Sequence, residues 1–144
     1  MRLAFQYPQH AYERFIALIT GGPFCHVEAL SGDMGYSSDA RDGGVRWKTL
    51  DRSRVWNVIE IPGEWTPDLL AFCAREAGCP YDYLGAITSA LYLKYQSLTG
   101  WFCSEMVATV ANAANESNPN WNQLPTVVNP NALYRQIKKI QCSH

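Results

Sequence analysis

The pattern of hydrophobic and polar positions changes near the middle of the chain. In the first half, short apolar or alternating stretches are separated by Gly, Pro and Asp, which is typical of strands joined by turns. The predicted strands cover 3–5, 24–30, 34–38, 45–50 and 55–61. One helix is predicted among them, over 10–20, because Tyr12, Phe15, Ile16 and Ile19 fall on one face at helical spacing.

Helical spacing dominates the second half. A helix is predicted to begin at the Thr66 cap, with Pro67 at its first position, and to end at Gly78. Further helices are predicted over 81–95, from 103 into the Asn-rich stretch 112–122, and over 132–140. In the last of these, Leu133, Ile137 and Ile140 face inward. Strands followed by helices predict an α+β fold with a mostly antiparallel sheet, and 144 residues fit a single domain, 1–144.

Composition and charge exclude several classes of protein. A hydrophobic fraction of 47% with 17% charged residues is ordinary for a globular domain. The net charge of −1 does not indicate a nucleic-acid partner. The most apolar stretch, 86–98, is interrupted by polar residues, so no membrane span is predicted. Nothing in the composition indicates an oligomeric state.

The number and spacing of the cysteines bear on the cellular compartment and on whether a metal site is expected. The five cysteines, at 25, 73, 79, 103 and 142, form no CxxC pair, so neither a metal nor any other cofactor is expected. An odd number of thiols favours a reducing compartment. The N-terminal sequence has no signal-peptide pattern, so a cytoplasmic location is expected, with a phage-encoded origin or delivery by another machinery left open.

Cys103 is the candidate nucleophile because it stands at the predicted start of an apolar helix. A thiol there faces unpaired backbone N–H groups and the positive end of the helix dipole, which favour a thiolate and can hold an oxyanion. The alternative is that Cys103 is a small buried core residue.

A nucleophilic cysteine needs a base, and the chain has three histidines. His26 lies on a predicted strand, with Glu28 two residues on and therefore on the same face. Ser38 or Asp39, across the predicted hairpin, are alternatives to Glu28 as the group that orients the imidazole. His10 has no obvious orienting neighbour, and His144 is the last residue.

Two segments resemble a known family. The stretch 78–86, Gly-Cys-Pro-Tyr-Asp-Tyr-Leu-Gly-Ala, followed by Trp-Phe-Cys-Ser-Glu at 101–105, resembles the cysteine half of NlpC/P60 domains. The stretch 25–28, Cys-His-Val-Glu, with 36–38 and 43–46, resembles the histidine half of the circularly permuted branch, the YaeF/YiiX-type and lecithin:retinol acyltransferase-like proteins. The histidine precedes the cysteine, as in that branch. The resemblance covers about 22–114.

The resemblance implies a papain-like permuted fold, with an antiparallel sheet packed against helices and the nucleophile at a helix N-terminus. It implies Cys103 as nucleophile, His26 as base and Glu28 as the third group, with Tyr81 and Ser38 contacting substrate. The implied activity is that of a cysteine peptidase or amidase-like hydrolase. It would cleave peptide or isopeptide bonds, such as those in peptidoglycan stem peptides. The step Cys-Ser-Glu, where other members have Cys-Ser-Gly, argues against simple transfer of peptidoglycan specificity.

Two other functions remain open at this point. A thioesterase or acyltransferase of the same fold, including one that takes acyl groups from lipid, is expected to show an apolar rim near the site. A non-catalytic binding or virion component is expected to keep Cys103 and His26 beyond hydrogen-bond reach. The polar loop 39–44 is either a lid or a plain hairpin connection.

Overall fold

A computed structural model describes residues 1–91, 93 and 100–143 of the chain. Its strands form one antiparallel sheet in the order β4-β3-β2-β1-β5. The strands are β1 (Arg2–Gln6), β2 (His26–Ser31), β3 (Met34–Asp39), β4 (Gly44–Thr49) and β5 (Trp56–Glu60). Each lies within one or two residues of a predicted strand, and the expected α+β class is confirmed.

Five helices complete the described part of the fold. They are α1 (Ala11–Ile19), α2 (Pro67–Glu76), α3 (Tyr83–Ala90), α4 (Cys103–Ala114) and α5 (Pro130–Cys142). The Thr66 side chain accepts the Leu69 N–H and caps α2, as predicted. Helix α3 begins two residues after the predicted start, at an Asp82 cap. The rest of the predicted helix falls partly on 92 and 94–99, which lie outside the described residues. None of the described helices is long and apolar enough to cross a membrane.

The two faces of the sheet differ in chemistry. One face is apolar and packs against α4, which contacts β2 and β3. It contributes fully buried side chains from three strands, Leu3, Phe5, Val27, Ala29 and Tyr36. The opposite face carries Gln6, His26 and Glu28, which are polar and also buried. Period-two alternation along β1 and β2 therefore places a hydrophobic core on one side and a polar cluster on the other.

Helix α1 does not bury the apolar face that its sequence pattern shows. Tyr12, Phe15 and Ile19 are 50%, 62% and 40% exposed, whereas Glu13 is 2% exposed. The Glu13 carboxylate accepts the N–H groups at the start of the helix and pairs with Arg54 at 3.1 Å. Because these contacts hold Glu13 inside, the helix is rotated so that its apolar side chains face outward.

A chain of backbone contacts joins β4 to the segment that precedes α4. Gly44 has a φ of +143° and bridges to Pro80, and a Cβ at position 44 would overlap the Cys79 carbonyl oxygen. The Trp101 N–H then donates to the Pro80 carbonyl at 3.1 Å. Glycine is required here because two backbones approach closely. The half of the chain that carries His26 is thereby fixed to the half that carries Cys103.

Candidate active site

Cys103 is the first residue of α4, after the Phe102 N-cap, and is 6% exposed. His26 is the first residue of β2. The Cys103 and His26 side chains line one small cavity, and the thiol is one of the groups that raise the pKa of the His26 ring. The two residues that the sequence selected from opposite halves of the chain therefore meet in one cavity.

The other side of the His26 ring faces two carboxylates. Nε2 lies 3.2 Å from Glu28 Oε1 and 3.8 Å from Asp39 Oδ2, and both acidic side chains are buried. Of the three candidates for the orienting group, Glu28 makes the hydrogen bond and Asp39 makes a longer ion-pair contact. Since Nε2 is directed at the carboxylates, Nδ1 is the ring nitrogen that is available to the Cys103 thiol.

Ser38 does not contact this site as predicted. It shares the apolar face of the sheet with Tyr36 and is fully buried. Its hydroxyl donates to the Trp101 carbonyl at 2.6 Å. Alternation along β3 explains the difference, because Asp39 and Ser38 are consecutive and point to opposite faces. Ser38 therefore holds the backbone two residues before the nucleophile.

Electrostatics in the site favour a charged imidazole. Burial alone would lower the pKa of His26, but hydrogen bonds to Cys103 and Glu28 and the negative charge of Asp39 outweigh burial and raise it to about 10. Burial would raise the pKa of Glu28, yet the hydrogen bond from His26 and the nearby Arg46 hold it below its usual value. The site thus favours a protonated imidazole next to an ionised Glu28 carboxylate.

Tyr81 and Cys25 line the same cavity as Cys103 and His26. The pKa of Tyr81 is raised well above its usual value by burial and by the charges of Cys103 and Asp39, so its hydroxyl stays protonated. Alternation with the neighbouring His26 would direct the Cys25 side chain away from the site. Cys25 precedes the first residue of β2, so strand alternation does not apply to it. Burial raises its pKa to about 12, which keeps it a thiol.

The sequence analysis did not identify Arg41 as part of the site. It lies in the 3-10 turn Ala40–Asp42, between β3 and β4. Its guanidinium pairs with Asp39 at 2.6 Å and reaches Glu13 Oε1 of α1 at 3.4 Å. The predicted loop 39–44 therefore crosses one side of the cavity and is tied to a helix there. Only a tertiary contact assigns this role, because 28 residues separate Arg41 from Glu13.

Two cavities meet at Cys103. The first, of about 80 Å³, has the His26, Asp39, Arg41 and Glu13 side chains in its wall, together with less polar ones. The second, of about 290 Å³, is an apolar groove between α1 and α3. The walls of the groove include Ile16, Ile19, Ala86, Ile87, Ala90 and Phe102. A larger cavity of about 560 Å³ lies at the other end of α4, beside Ala114. Cys103 thus stands where a small cavity with charged groups in its wall meets an apolar groove.

Comparisons of the chain with protein-family models, curated proteins and solved structures find no match. Among the described residues, no group of three or more His, Cys, Asp or Glu side chains is arranged to hold a metal ion.

The raised pKa of His26 predicts how stability depends on pH. Below its usual value of 6.5 the imidazole is protonated in both the folded and the unfolded states, so its stabilising contribution is complete. Between 6.5 and about 10 only the folded state keeps the proton, so this contribution is lost as the pH rises. We expect the urea-unfolding free energy to fall more steeply across this range in the wild type than in His26→Gln. Equal slopes in the two proteins would contradict the assignment.

Proposed function

We propose that this protein is a cysteine hydrolase of the permuted NlpC/P60 type, which cleaves an amide bond with Cys103 as nucleophile and His26 as base. The observation that carries the proposal is that Cys103, at the start of a helix, and His26 line one cavity, with Glu28 Oε1 3.2 Å from Nε2 of the His26 ring. A non-catalytic role was expected to keep the two residues apart, so the geometry favours catalysis. The antiparallel sheet packed on α4 is compatible with a papain-like fold.

In the first half of the proposed reaction, the Cys103 proton resides on His26 and the thiolate attacks the substrate carbonyl carbon. The electron pair of the carbonyl moves to its oxygen, which lies near the first-turn N–H groups of α4. Backbone N–H groups at a helix N-terminus favour a developing negative charge beside them. His26 then gives its proton to the leaving nitrogen as the carbon–nitrogen bond breaks. The product of this half is a thioester on Cys103.

In the second half, a water molecule gives a proton to His26 and attacks the thioester carbonyl. The carbon–sulfur bond breaks and the acid product leaves. The Cys103 sulfur is then free again beside the protonated His26 ring. Glu28 and Asp39 stabilise the imidazolium in both halves without taking its proton, because the pKa values of their carboxyl groups are lowered. Tyr81 is proposed to line the substrate site beside the thiol.

A second candidate, a thioesterase or acyltransferase of the same fold, is favoured by the apolar groove. The groove walls from α1 and α3 carry apolar side chains, and Tyr12, Ile19, Tyr83 and Ile87 are exposed along them. This is the apolar rim expected of an enzyme that takes a lipid acyl group. A polar peptidoglycan stem has little to bury there, whereas an acyl chain attached through an ester, thioester or amide does.

The test of the proposed chemistry is the rate at which iodoacetamide labels Cys103. Cys25, Cys73, Cys79 and Cys142 are first replaced by serine. At pH 6, where an isolated thiol of pKa about 8.5 is almost wholly protonated, we expect rapid labelling that slows about tenfold or more in His26→Ala. His10→Ala is the matched control. Because His10 lies outside the site, Cys103 should be labelled in this variant at the same rate as in the protein with only the four serine replacements. A folded protein that labels slowly at pH 6 and is unaffected by His26→Ala would overturn the proposal.

A further inference from the structure

Arg46 lies behind the two carboxylates that face His26. Its NH2 group is 2.9 Å from Glu28 Oε1 and 3.5 Å from Asp39 Oδ2. These are the same two oxygens that lie nearest His26 Nε2. The Arg46 side chain is 15% exposed, and its Nε donates to Asp42 at 2.8 Å. One guanidinium therefore contacts both of the carboxylate oxygens that face the imidazole.

Small residues on β3 allow this arrangement. Ser37 is the partner of Arg46 in the sheet register, and its hydroxyl turns back to the Val27 carbonyl at 2.7 Å. At Gly35, an added Cβ would overlap Glu28 Oε2. The Glu28 carboxylate therefore lies directly over the strand between β2 and β4. A larger side chain at either position would separate Glu28 from Arg46.

Two carboxylates that face one imidazolium repel each other, because the single positive charge of the ring cannot balance both negative charges. Arg41 contacts Asp39 but not Glu28 among the described contacts. Arg46 contacts both, and its planar fork is suited to holding carboxylate oxygens at fixed positions. Without it, electrostatic repulsion would drive Glu28 or Asp39 away from Nε2, and the imidazole would lose its fixed orientation toward Cys103.

We propose that Arg46 is a positioning residue of this site, whose guanidinium holds the carboxylates of Glu28 and Asp39 together against Nε2 of His26. The catalytic part of this inference rests on the proposed function. The positioning part concerns the geometry around His26 and can be measured without any substrate.

The experiment compares Arg46→Met with Lys48→Met. Lys48 lies on the same strand and binds the same Asp42, but it is exposed and pairs with neither Glu28 nor Asp39. The first readout is the downfield proton resonance of the His26 Nε2–H in protein labelled at histidine. Its position depends on the hydrogen bond to Glu28. We expect this resonance to be lost or moved upfield in Arg46→Met and to be unchanged in Lys48→Met.

The second readout is the iodoacetamide rate of Cys103 at pH 6, which we expect to fall about 10- to 100-fold in Arg46→Met through misplacement of the imidazole. Gly35→Ala displaces Glu28 directly and should reproduce the spectral change without altering any charge. If Arg46→Met does not fold, we expect the same changes in the resonance and in the labelling rate for Arg46→Gln, because glutamine keeps a hydrogen-bond donor but has no positive charge.

The outcomes separate the two proposals. A folded Arg46→Met protein with the wild-type resonance and labelling rate would overturn the role of Arg46. A change of the His26 resonance in Gly35→Ala but not in Arg46→Met would also overturn this role, because Glu28 would then be held in place without Arg46. If wild-type Cys103 labels slowly and independently of His26, the proposed function fails, while the resonance still decides whether Arg46 positions the carboxylates.

Discussion

Replacing Cys103 by alanine is expected to lower hydrolysis of acyl substrates by about 10³-fold or more, because no covalent intermediate can form without the thiolate. The measurement is hydrolysis of p-nitrophenyl esters of increasing acyl length, alongside the corresponding anilides. The substitution removes one sulfur from a 6% exposed position and leaves α4 otherwise intact. Circular dichroism should therefore report an unchanged fold.

Cys25→Ala is the matched control for this prediction. Cys25 is buried and lines the same cavity, but its pKa is raised to about 12, so it does not supply a thiolate near neutral pH. We expect its replacement to leave hydrolysis within a few-fold of wild type. Activity that survives Cys103→Ala on every substrate that the wild type cleaves would show that Cys103 is not the nucleophile.

Filling the apolar groove is expected to have the next largest effect and to depend on acyl length. The groove has a volume of about 290 Å³ and mostly apolar walls, which suit a medium-length acyl chain. Ala86→Trp projects an indole from α3 into this space. We expect hydrolysis of an octanoyl ester to fall about 30-fold while that of an acetyl ester changes little.

Leu84→Trp provides the comparison, since Leu84 is 52% exposed on the same helix and lies outside the groove wall. It should leave both substrates unaffected. An equal loss on acetyl and octanoyl esters in Ala86→Trp would indicate general damage to the site. If the wild-type protein hydrolyses the acetyl ester faster than the octanoyl ester, the groove does not hold the acyl chain. Amide substrates without a long acyl chain would then fit the site better.

Local rules identified Cys103 and His26 as candidates for the central pair of the site. Two-residue spacing on a strand placed His26 and Glu28 on one face, and the structure puts them 3.2 Å apart. The glycine break and the apolar helical spacing after it placed Cys103 at a helix start, where α4 begins. Both features depend on neighbours within a few residues. The family resemblance joined the two halves, and the structure places Cys103 and His26 in the wall of one cavity.

The remaining parts of the site depend on contacts that no local pattern encodes. The sequence pattern did not predict that Arg41 and Arg46 lie near His26. It gave Asp39 only as one alternative for the group that orients the imidazole. The roles of these three residues follow from the register of β3 and β4 and from the 3-10 turn that joins them. Ser38 was expected to contact substrate, but alternation in the observed register directs it to the core and to the Trp101 carbonyl.

The sequence by itself determined the order of strands and helices, the Thr66 cap of α2 and the polar–apolar alternation of β1 and β2, because these follow from steric and hydrophobic preferences over a few residues. The tertiary structure decided which way each amphipathic face turned. Helix α1 shows this clearly, since its apolar stripe predicts burial but Glu13 is the residue held inside by Arg54. The ion pair between Glu13 and Arg54, 41 positions apart, can override hydrophobic periodicity. Leaving either charge buried without its partner would cost more free energy than exposing a few apolar side chains. That rotation leaves apolar side chains free to line the groove beside Cys103.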